Sequence, residues 1–239
     1  MSKTVHHLLS VIIPTLNEAK SIGSLIQYLQ DNSQNQPIEI IVVDAESNDE
    51  TAQIAAKLGV KVIITKQASR AHQMNVGANE ATGQVLYFVH ADVIPPKSFV
   101  HDIFTYLEKG YSFGCFRFKF ISKHPLLWVN SFFTRFNVLW CRGGDQTLFI
   151  KESVFKENGG FDEDYIIMED FELIKRLRKK HRFVVIPKNT LVSARKYKAN
   201  SYFRVNLANL KVFRLFQKGE SPKVLQATYY KLIKHPKDT

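Results

Sequence analysis

Cysteine pairs, long apolar runs and glycine-rich loops are scarce or absent in this sequence, and each shortage excludes a class of protein. The 239 residues include two cysteines, Cys115 and Cys141, and neither belongs to a Cys-x-x-Cys pair. This pattern is typical of buried free thiols in a reducing compartment and not of a disulfide framework. No apolar run is long enough to cross a membrane, and the N-terminus does not resemble a signal peptide. We therefore expect a cytoplasmic protein.

Charge is distributed unevenly along the chain. The net charge is +11, but residues 1–110 hold 8 Lys and Arg against 11 Asp and Glu, whereas residues 111–239 hold 25 against 11. A basic second half attracts an anionic partner such as a phosphate, an anionic membrane or a nucleic acid. Nucleic-acid motifs, a Walker phosphate loop and a nucleophile elbow are absent, so we expect no nucleic-acid partner.

Apolar runs and segments of helical apolar spacing alternate through the first half of the chain, which predicts an α/β fold with a parallel sheet. The predicted strands are residues 8–13, 38–43, 60–65 and 85–89, and the predicted helices begin at Asn17-Glu18 and span residues 51–58 and 71–81. The second half is less regular. Its predicted strands are residues 113–121, 147–150 and 183–186, with a helix over 169–180 and helical spacing from residue 201.

Polar residues collect where the predicted parallel strands end. These residues are Pro14-Thr15, Asp44, the segment 66–70 and His90-Ala91-Asp92. Ligands of such sheets bind beyond the carboxyl ends of the strands, which predicts a nucleotide site at this edge. Asp92 could hold a divalent cation that neutralises a diphosphate, or it could cap a turn. We favour the cation.

Asp44 and Arg70 are further candidates at the same edge. Asp44 could accept a hydrogen bond from a nucleobase or ribose, or cap the loop at Ser47. Arg70 could bind phosphate as a planar fork, aided by the start of a helix, or it could be a solvated surface charge. The sequence leaves these alternatives open.

The second half contributes two more candidates. Glu169-Asp170 could act as a general base that takes a hydroxyl proton, although acids in a first helical turn also complement the helix dipole. Arg195 is either a surface charge or a contact to a phosphate or acceptor. The aromatic stretch 128–140 fits packed core, the floor of an acceptor pocket or a membrane-interface segment.

Together, these motifs resemble the family 2 glycosyltransferases, in both order and spacing. The matching segments are residues 10–18 (Ser-Val-Ile-Ile-Pro-Thr-Leu-Asn-Glu), 41–44, 46–49, 70–77, 90–92, 159–161 and 168–170. A narrower set resembles the bacterial subgroup labelled arsenosugar-biosynthesis-type glycosyltransferases. That set comprises residues 70–77, 88–92, 144–146, 168–170 and 193–195.

The resemblance covers about residues 8–200 and implies one GT-A domain over residues 1–239: a Rossmann-like, mostly parallel sheet flanked by helices, with a helical C-terminal tail. Residues 8–110 would bind the nucleotide sugar, residues 111–200 would hold the acceptor and the catalytic groups, and residues 201–239 would form a basic tail. The implied activity is inverting transfer of a sugar from a UDP- or GDP-linked donor to a hydroxyl acceptor. A lipid-linked acceptor would place the enzyme at the inner face of the membrane.

The resemblance also implies a role for each matching residue. Pro14, Thr15, Glu18 and Asp44 would hold the nucleoside, Arg70 the donor phosphates, and Asp92 with His90 a Mg²⁺ or Mn²⁺ ion; Asp170 would be the base beside Glu169, with Asp145, Gln146 and Arg195 near the acceptor or diphosphate. His90 replaces the first acid of the usual Asp-x-Asp motif, and an imidazole suits Mn²⁺ better than Mg²⁺.

Two other functions compete with glycosyl transfer. A nucleotidyltransferase would need a basic, glycine-rich loop after the first strand, whereas the chain has Pro-Thr-Leu-Asn-Glu at residues 14–18. A non-enzymatic module that binds anionic membranes would rest on the basic second half alone. In that case Asp92 and Asp170 could be replaced without loss of function.

Overall fold

The computed structural model describes residues 9–34, 36–143 and 146–233. Its strands are β1 (Leu9–Thr15), β2 (Ile38–Asp44), β3 (Lys61–Ile64), β4 (Val85–Phe88), β5 (Val93–Ile94), β6 (Phe113–Ile121), β7 (Leu148–Lys151) and β8 (Phe183–Ser193). Its α-helices are α1 (Ala19–Asp31), α2 (Thr51–Lys57), α3 (Arg70–Asn79), α4 (Phe99–Glu108), α5 (Pro125–Phe133), α6 (Glu152–Glu157), α7 (Glu169–Leu177), α8 (Arg195–Ala199), α9 (Tyr202–Gln217) and α10 (Pro222–Leu232). A 3-10 helix spans Leu139–Cys141.

One sheet runs through these residues in the order β3-β2-β1-β4-β7-β6-β8-β5. Strands β3, β2, β1 and β4 are parallel neighbours, which confirms the parallel sheet predicted for the first half. Both faces of β1 are covered, since Val11 and Ile13 pack toward α1 whereas Ile12 packs toward α3. Covering of both faces explains why this strand is a continuous apolar run.

The second half completes the sheet in a mixed arrangement. Strand β7 lies antiparallel between β4 and β6, β8 runs parallel to β6, and β5 is antiparallel to β8. The prediction that the last strand ends at Ile186 is wrong, because β8 continues to Ser193. The pairing with β6 passes from Ile186 directly to Asn189, so Pro187 lies in a bulge, where the missing N–H breaks no ladder bond.

The helical C-terminal tail is present, and it packs behind the second half of the sheet. Val212 and Phe216 of α9 are buried together with Leu225 of α10, and Met168 and Phe171 pack against them. The tail therefore supports the segment that leads into α7. Among the described residues, no helix combines the length and apolarity needed to cross a membrane.

We expect Gly114→Ala to destabilise the sheet at its crowded centre. A Cβ at Gly114 would lie 2.5 Å from the Val184 carbonyl oxygen and 2.6 Å from Cζ of Phe149. Overpacking of this kind costs about 1–3 kcal/mol of unfolding free energy, which corresponds to about 2–4 °C in Tm per kcal/mol for a chain of this size. Gly143→Ala is the matched control, because its Cβ would meet only Phe171, at 3.8 Å. Equal melting temperatures for the two variants would contradict the packing argument.

Candidate active site

An open cleft of about 680 Å³ lies beyond the carboxyl ends of β1 and β4. Its walls include Glu18, Tyr28, Asp49, Asp92, Ser193 and Arg195. Three of these residues were predicted as site residues from the sequence alone. Their shared position agrees with the rule that parallel sheets bind ligands at this edge.

Arg195 links the two acidic walls of the cleft. Its Nη1 and Nη2 donate to Oε2 and Oε1 of Glu18 at 2.9 and 2.6 Å, and its Nε lies 3.1 Å from Oδ2 of Asp92. The Glu18 side chain is 6% exposed, Asp92 20% and Arg195 40%. A two-pronged guanidinium–carboxylate pair of this kind is strong and geometrically specific. The Arg195 guanidinium therefore bridges the carboxylates of Glu18 and Asp92.

Backbone contacts fix the three residues of this cluster. The Glu18 amide donates to Oγ1 of Thr51 at 2.8 Å, at the start of α1. Val93 of β5 pairs with Val192 of β8, and the Ser193 amide donates to the Asp92 carbonyl at 3.2 Å. The extension of β8 beyond its bulge therefore carries Arg195 to Asp92.

Asp44 lies at the same edge, one strand away from the cleft. It is 1% exposed and accepts hydrogen bonds from Oγ1 of Thr15 at 2.9 Å and from the amide and hydroxyl of Ser47 at 2.8 and 2.6 Å. The loop-capping alternative is thus what the geometry shows. The nucleoside-binding role of Asp44 and Thr15 stays a prediction, and so does that of Pro14, which is paired with Val43 inside β1.

A second group of predicted residues meets at the start of α7. Glu169 and Asp170 are both buried in the first helical turn, and Nη1 of the half-exposed Arg70 lies 3.5 Å from Oε1 of Glu169. The preceding residue, Met168, has φ 68°, a left-handed conformation that is uncommon for a residue with a side chain and that tends to occur at functional sites. Here it turns the chain sharply into α7, so that both acids fall in the helix's first turn.

A further set of side chains, not predicted from the sequence, holds the acidic loop at residues 161–164. Asn75 Nδ2 donates to the Phe161 carbonyl and to Oε1 of Glu163, both at 2.9 Å, and His72 Nδ1 lies 2.9 Å from Oε2 of Glu163. Burial favours the protonated form of Glu163, but the hydrogen bonds from Asn75 and His72 outweigh it and lower its pKa. The polar residues of the 70–77 motif were the signal for this role.

The remaining predicted residues fall outside the two groups. Gln146 is 1% exposed, and its Nε2 lies 3.5 Å from the Thr134 carbonyl. Asp145 lies outside the described residues. His90 is half-buried in the turn after β4, where its carbonyl accepts from the Val93 amide at 3.0 Å. No group of three His, Cys, Asp or Glu side chains suited to a metal occurs in the part of the chain that the structure describes.

Solved structures share this architecture. The chain matches the mannosyltransferase PcManGT from Pyrobaculum calidifontis, in complex with GDP-Man and Mn²⁺, with a TM-score of 0.68 and 19% identity over 95% of this chain and 70% of that one. It matches S. aureus TarS 1-349 in complex with UDP-GlcNAc with a TM-score of 0.63 and 20% identity over 94% and 71%. These likenesses show that the chain has the GT-A fold.

The family assignment follows from the sequence match. The family model described as Glycosyl transferase family 2 matches residues 10–199, and the chain belongs to that family and is a transferase enzyme. A curated relative, the 4,4'-diaponeurosporenoate glycosyltransferase of Staphylococcus haemolyticus (strain JCSC1435), is 36% identical over 92 residues, which are 36% of this chain. That match spans about a quarter (24%) of the relative's own length.

Proposed function

We propose that this protein transfers a sugar, with inversion, from a nucleoside-diphosphate sugar to a hydroxyl acceptor. The observation that carries the proposal is the cleft at the carboxyl edge of the sheet, where Glu18, Asp92 and Arg195 meet. Two similar folds were solved with GDP-Man and with UDP-GlcNAc, which supports a donor of this chemical class. The nucleoside would lie along Pro14, Thr15, Glu18 and Asp44.

The donor diphosphate needs positive charge, which the cleft can provide. Arg195 already lies against Asp92, and Arg70 is half-exposed at the N-terminus of α3, where backbone N–H groups and the helix dipole favour anions. A divalent cation held by Asp92 and His90 would neutralise the diphosphate. Asp92 is partly exposed on the wall and would offer an oxygen ligand, the imidazole would favour Mn²⁺ over Mg²⁺, and oxygens of the diphosphate would supply further ligands.

Asp170 would act as the general base. It would take the proton of the acceptor hydroxyl as that oxygen bonds to the anomeric carbon, while the bond to the diphosphate breaks and the diphosphate leaves with its electron pair. Attack on the face opposite the leaving group inverts the anomeric carbon. Glu169 beside it, paired with Arg70, would link the base to the phosphate-binding side.

The division of the chain follows from this placement. Residues 8–110 would bind the nucleotide sugar, residues 111–200 would add the catalytic acids and the acceptor side, including Asp145, Gln146 and Arg195, and residues 201–239 would form a basic tail. We place the enzyme in the cytoplasm at the inner face of the membrane, with a lipid-linked acceptor. Membership of the arsenosugar-biosynthesis-type subgroup stays a prediction.

A panel of nucleotide sugars tests the donor site. We expect UDP- or GDP-linked donors with Mn²⁺ to raise Tm, because a ligand at one hundred times its Kd stabilises the native state by about 2.7 kcal/mol, or about 5–11 °C here. The measurement is thermal unfolding with each donor, with and without a chelator. Equal stabilisation by inorganic phosphate would favour the anion-binding module, and stabilisation by nucleoside triphosphates alone would favour a nucleotidyltransferase.

A further inference from the structure

Two sets of large apolar side chains are exposed in the second half of the chain. The aromatic patch, on α5 and the segment that follows it, consists of Trp128, Phe132, Phe136 and Trp140, exposed by 43–56%. The tail stripe, on α9, consists of Phe203, Leu207 and Leu210, exposed by 74, 62 and 46%. Clusters of such residues mark interaction surfaces, whereas single exposed apolar residues do not.

Helix α5, which carries part of the aromatic patch, contacts α9, which carries the tail stripe. Asn130 of α5 donates through Nδ2 to Oδ1 of Asn206 in α9 at 3.0 Å, and it accepts from the Tyr202 hydroxyl at 2.8 Å. Asn206 is three residues after Phe203 and four before Leu210, so it shares a helical face with the tail stripe. On α5, Asn130 is two residues from both Trp128 and Phe132 and so faces away from them. The contact joins the two helices but does not join the aromatic patch to the tail stripe.

The charge around these residues has one sign. Residues 173–219 contain fourteen Lys and Arg and no Asp or Glu, and residues 109–144 contain six Lys and Arg and no acid. A shallow groove of about 510 Å³ beside Leu207 and Leu210 is lined by Lys211, Arg214 and Lys218. In the aromatic patch, the Arg135 guanidinium carbon lies 3.8 Å from the centre of the Phe132 ring.

We propose that the tail stripe, with the basic groove beside it, forms a docking surface for an anionic lipid bilayer. Aromatic and aliphatic side chains with a basic rim enter the boundary between headgroups and acyl chains, while Lys and Arg reach the lipid phosphates. The two segments without acids carry only positive charge from Lys and Arg, and this charge complements an anionic membrane. The opposite side of α9 reaches the candidate base, because Phe213 and Phe216 pack on Phe171, next to Asp170.

Docking would thus fix the height and orientation of α7 above the bilayer. This role goes beyond sugar transfer and does not depend on it, because the surface residues are distinct from Glu18, Asp92, Asp170 and Arg195. A soluble acceptor would leave the docking unchanged.

Vesicle co-sedimentation tests the proposal. The full chain is mixed with vesicles of phosphatidylcholine alone and with equimolar phosphatidylcholine and phosphatidylglycerol. We expect binding to the anionic vesicles that weakens with salt.

Lys211→Gln with Arg214→Gln should lower the partition coefficient about 25-fold, or about fivefold per charge. Phe203→Ser with Leu207→Ser should lower it at least about tenfold, since apolar burial is lost. Ile64→Ser with Lys57→Gln, an exposed apolar and basic pair in the first half, should bind like the wild type.

Two results would overturn the proposal. One is an absence of wild-type protein from the anionic vesicle pellet, and the other is an equal loss of binding in the control pair. If light scattering also shows a dimer that the Phe203/Leu207 variant dissociates, a second copy of the chain covers the surface instead. Donor-induced thermal stabilisation of each variant is measured in parallel, so that failure of membrane docking is distinguished from failure of the sugar-transfer proposal.

Discussion

Asp170→Asn is expected to lower the rate of transfer by about 10²–10⁴-fold, because a positioned general base contributes a factor of that size. The substitution keeps the size of the side chain and removes its ability to take a proton. Donor binding should be retained, since the proposed contacts to the nucleotide and phosphates lie on other residues. The rate is measured as release of nucleoside diphosphate from the donor that raises Tm, with a membrane lipid extract as the source of acceptor.

The control for this experiment is Asp164→Asn, which changes an exposed acid in the loop before α7. It should retain the wild-type rate. Thermal unfolding of both variants separates loss of catalysis from loss of fold, because Asp170 is buried. Full activity of the Asp170 variant, with donor binding unchanged, would refute the assignment of the base.

Asp92→Asn should have the second largest effect. It removes the carboxylate that would hold the divalent cation, and loss of one electrostatic contact to a transition state costs about 10²–10³-fold. We therefore expect kcat/KM to fall by about that factor and the Mn²⁺-dependent part of donor stabilisation to disappear. Thermal unfolding with donor, in Mn²⁺ and in chelator, gives the second readout without any need for the acceptor.

Asp31→Asn is the matched control for Asp92→Asn. Asp31 is an exposed carboxylate at the far end of α1 from the cleft, so its loss changes the net charge equally without altering the cleft. Its Mn²⁺ and donor response should equal that of the wild type. A response to Mn²⁺ that survives in the Asp92 variant would show that the cation binds elsewhere.

The strands of the first half could be predicted because both faces of the sheet are covered. Burial on two sides demands continuous β-branched and apolar runs, which are visible in the sequence at β1 and β2. Helices α4 and α6 were not predicted, although Phe99, Ile103 and Leu107 of α4 follow helical spacing. Helix α6 spans only Glu152–Glu157, which is too short to give a repeating apolar pattern.

The sequence predicted which residues belong to the candidate site, but it did not predict which side chains those residues contact. The ends of the parallel strands indicated Asp44 and Asp92, since that edge follows from the order of elements. The pairing of Arg195 with Glu18 spans 177 residues and depends on how far β8 continues past Pro187. A proline normally marks a strand end, and only the register of β6 against β8 shows that the strand passes it in a bulge.

Asp44 illustrates a different limit. Both of its predicted roles need the same carboxylate at the same strand end, so residue type and position do not separate them. The distances to Thr15 and Ser47 show the capping role and depend on the conformation of the loop after β2, whereas the nucleoside-binding role stays a prediction. Glu46 in that loop has φ 50°. This left-handed conformation is uncommon for a residue with a side chain, and the pattern of residue types did not predict it.

The position of β7 between β4 and β6 has a consequence for synthesis on the ribosome. Strands β1 to β4 leave the ribosome first, but β4 gains its second neighbour only after residues 148–151 have emerged. Until then its outer edge, Val85–Phe88, is an unpaired apolar strand, a template for pairing with other chains. The cleft is completed later still, when Arg195 reaches Glu18 and Asp92. A nascent chain therefore passes through an interval in which it is prone to aggregate before it can bind its donor, and we expect slow translation or truncation before residue 148 to lower the soluble yield.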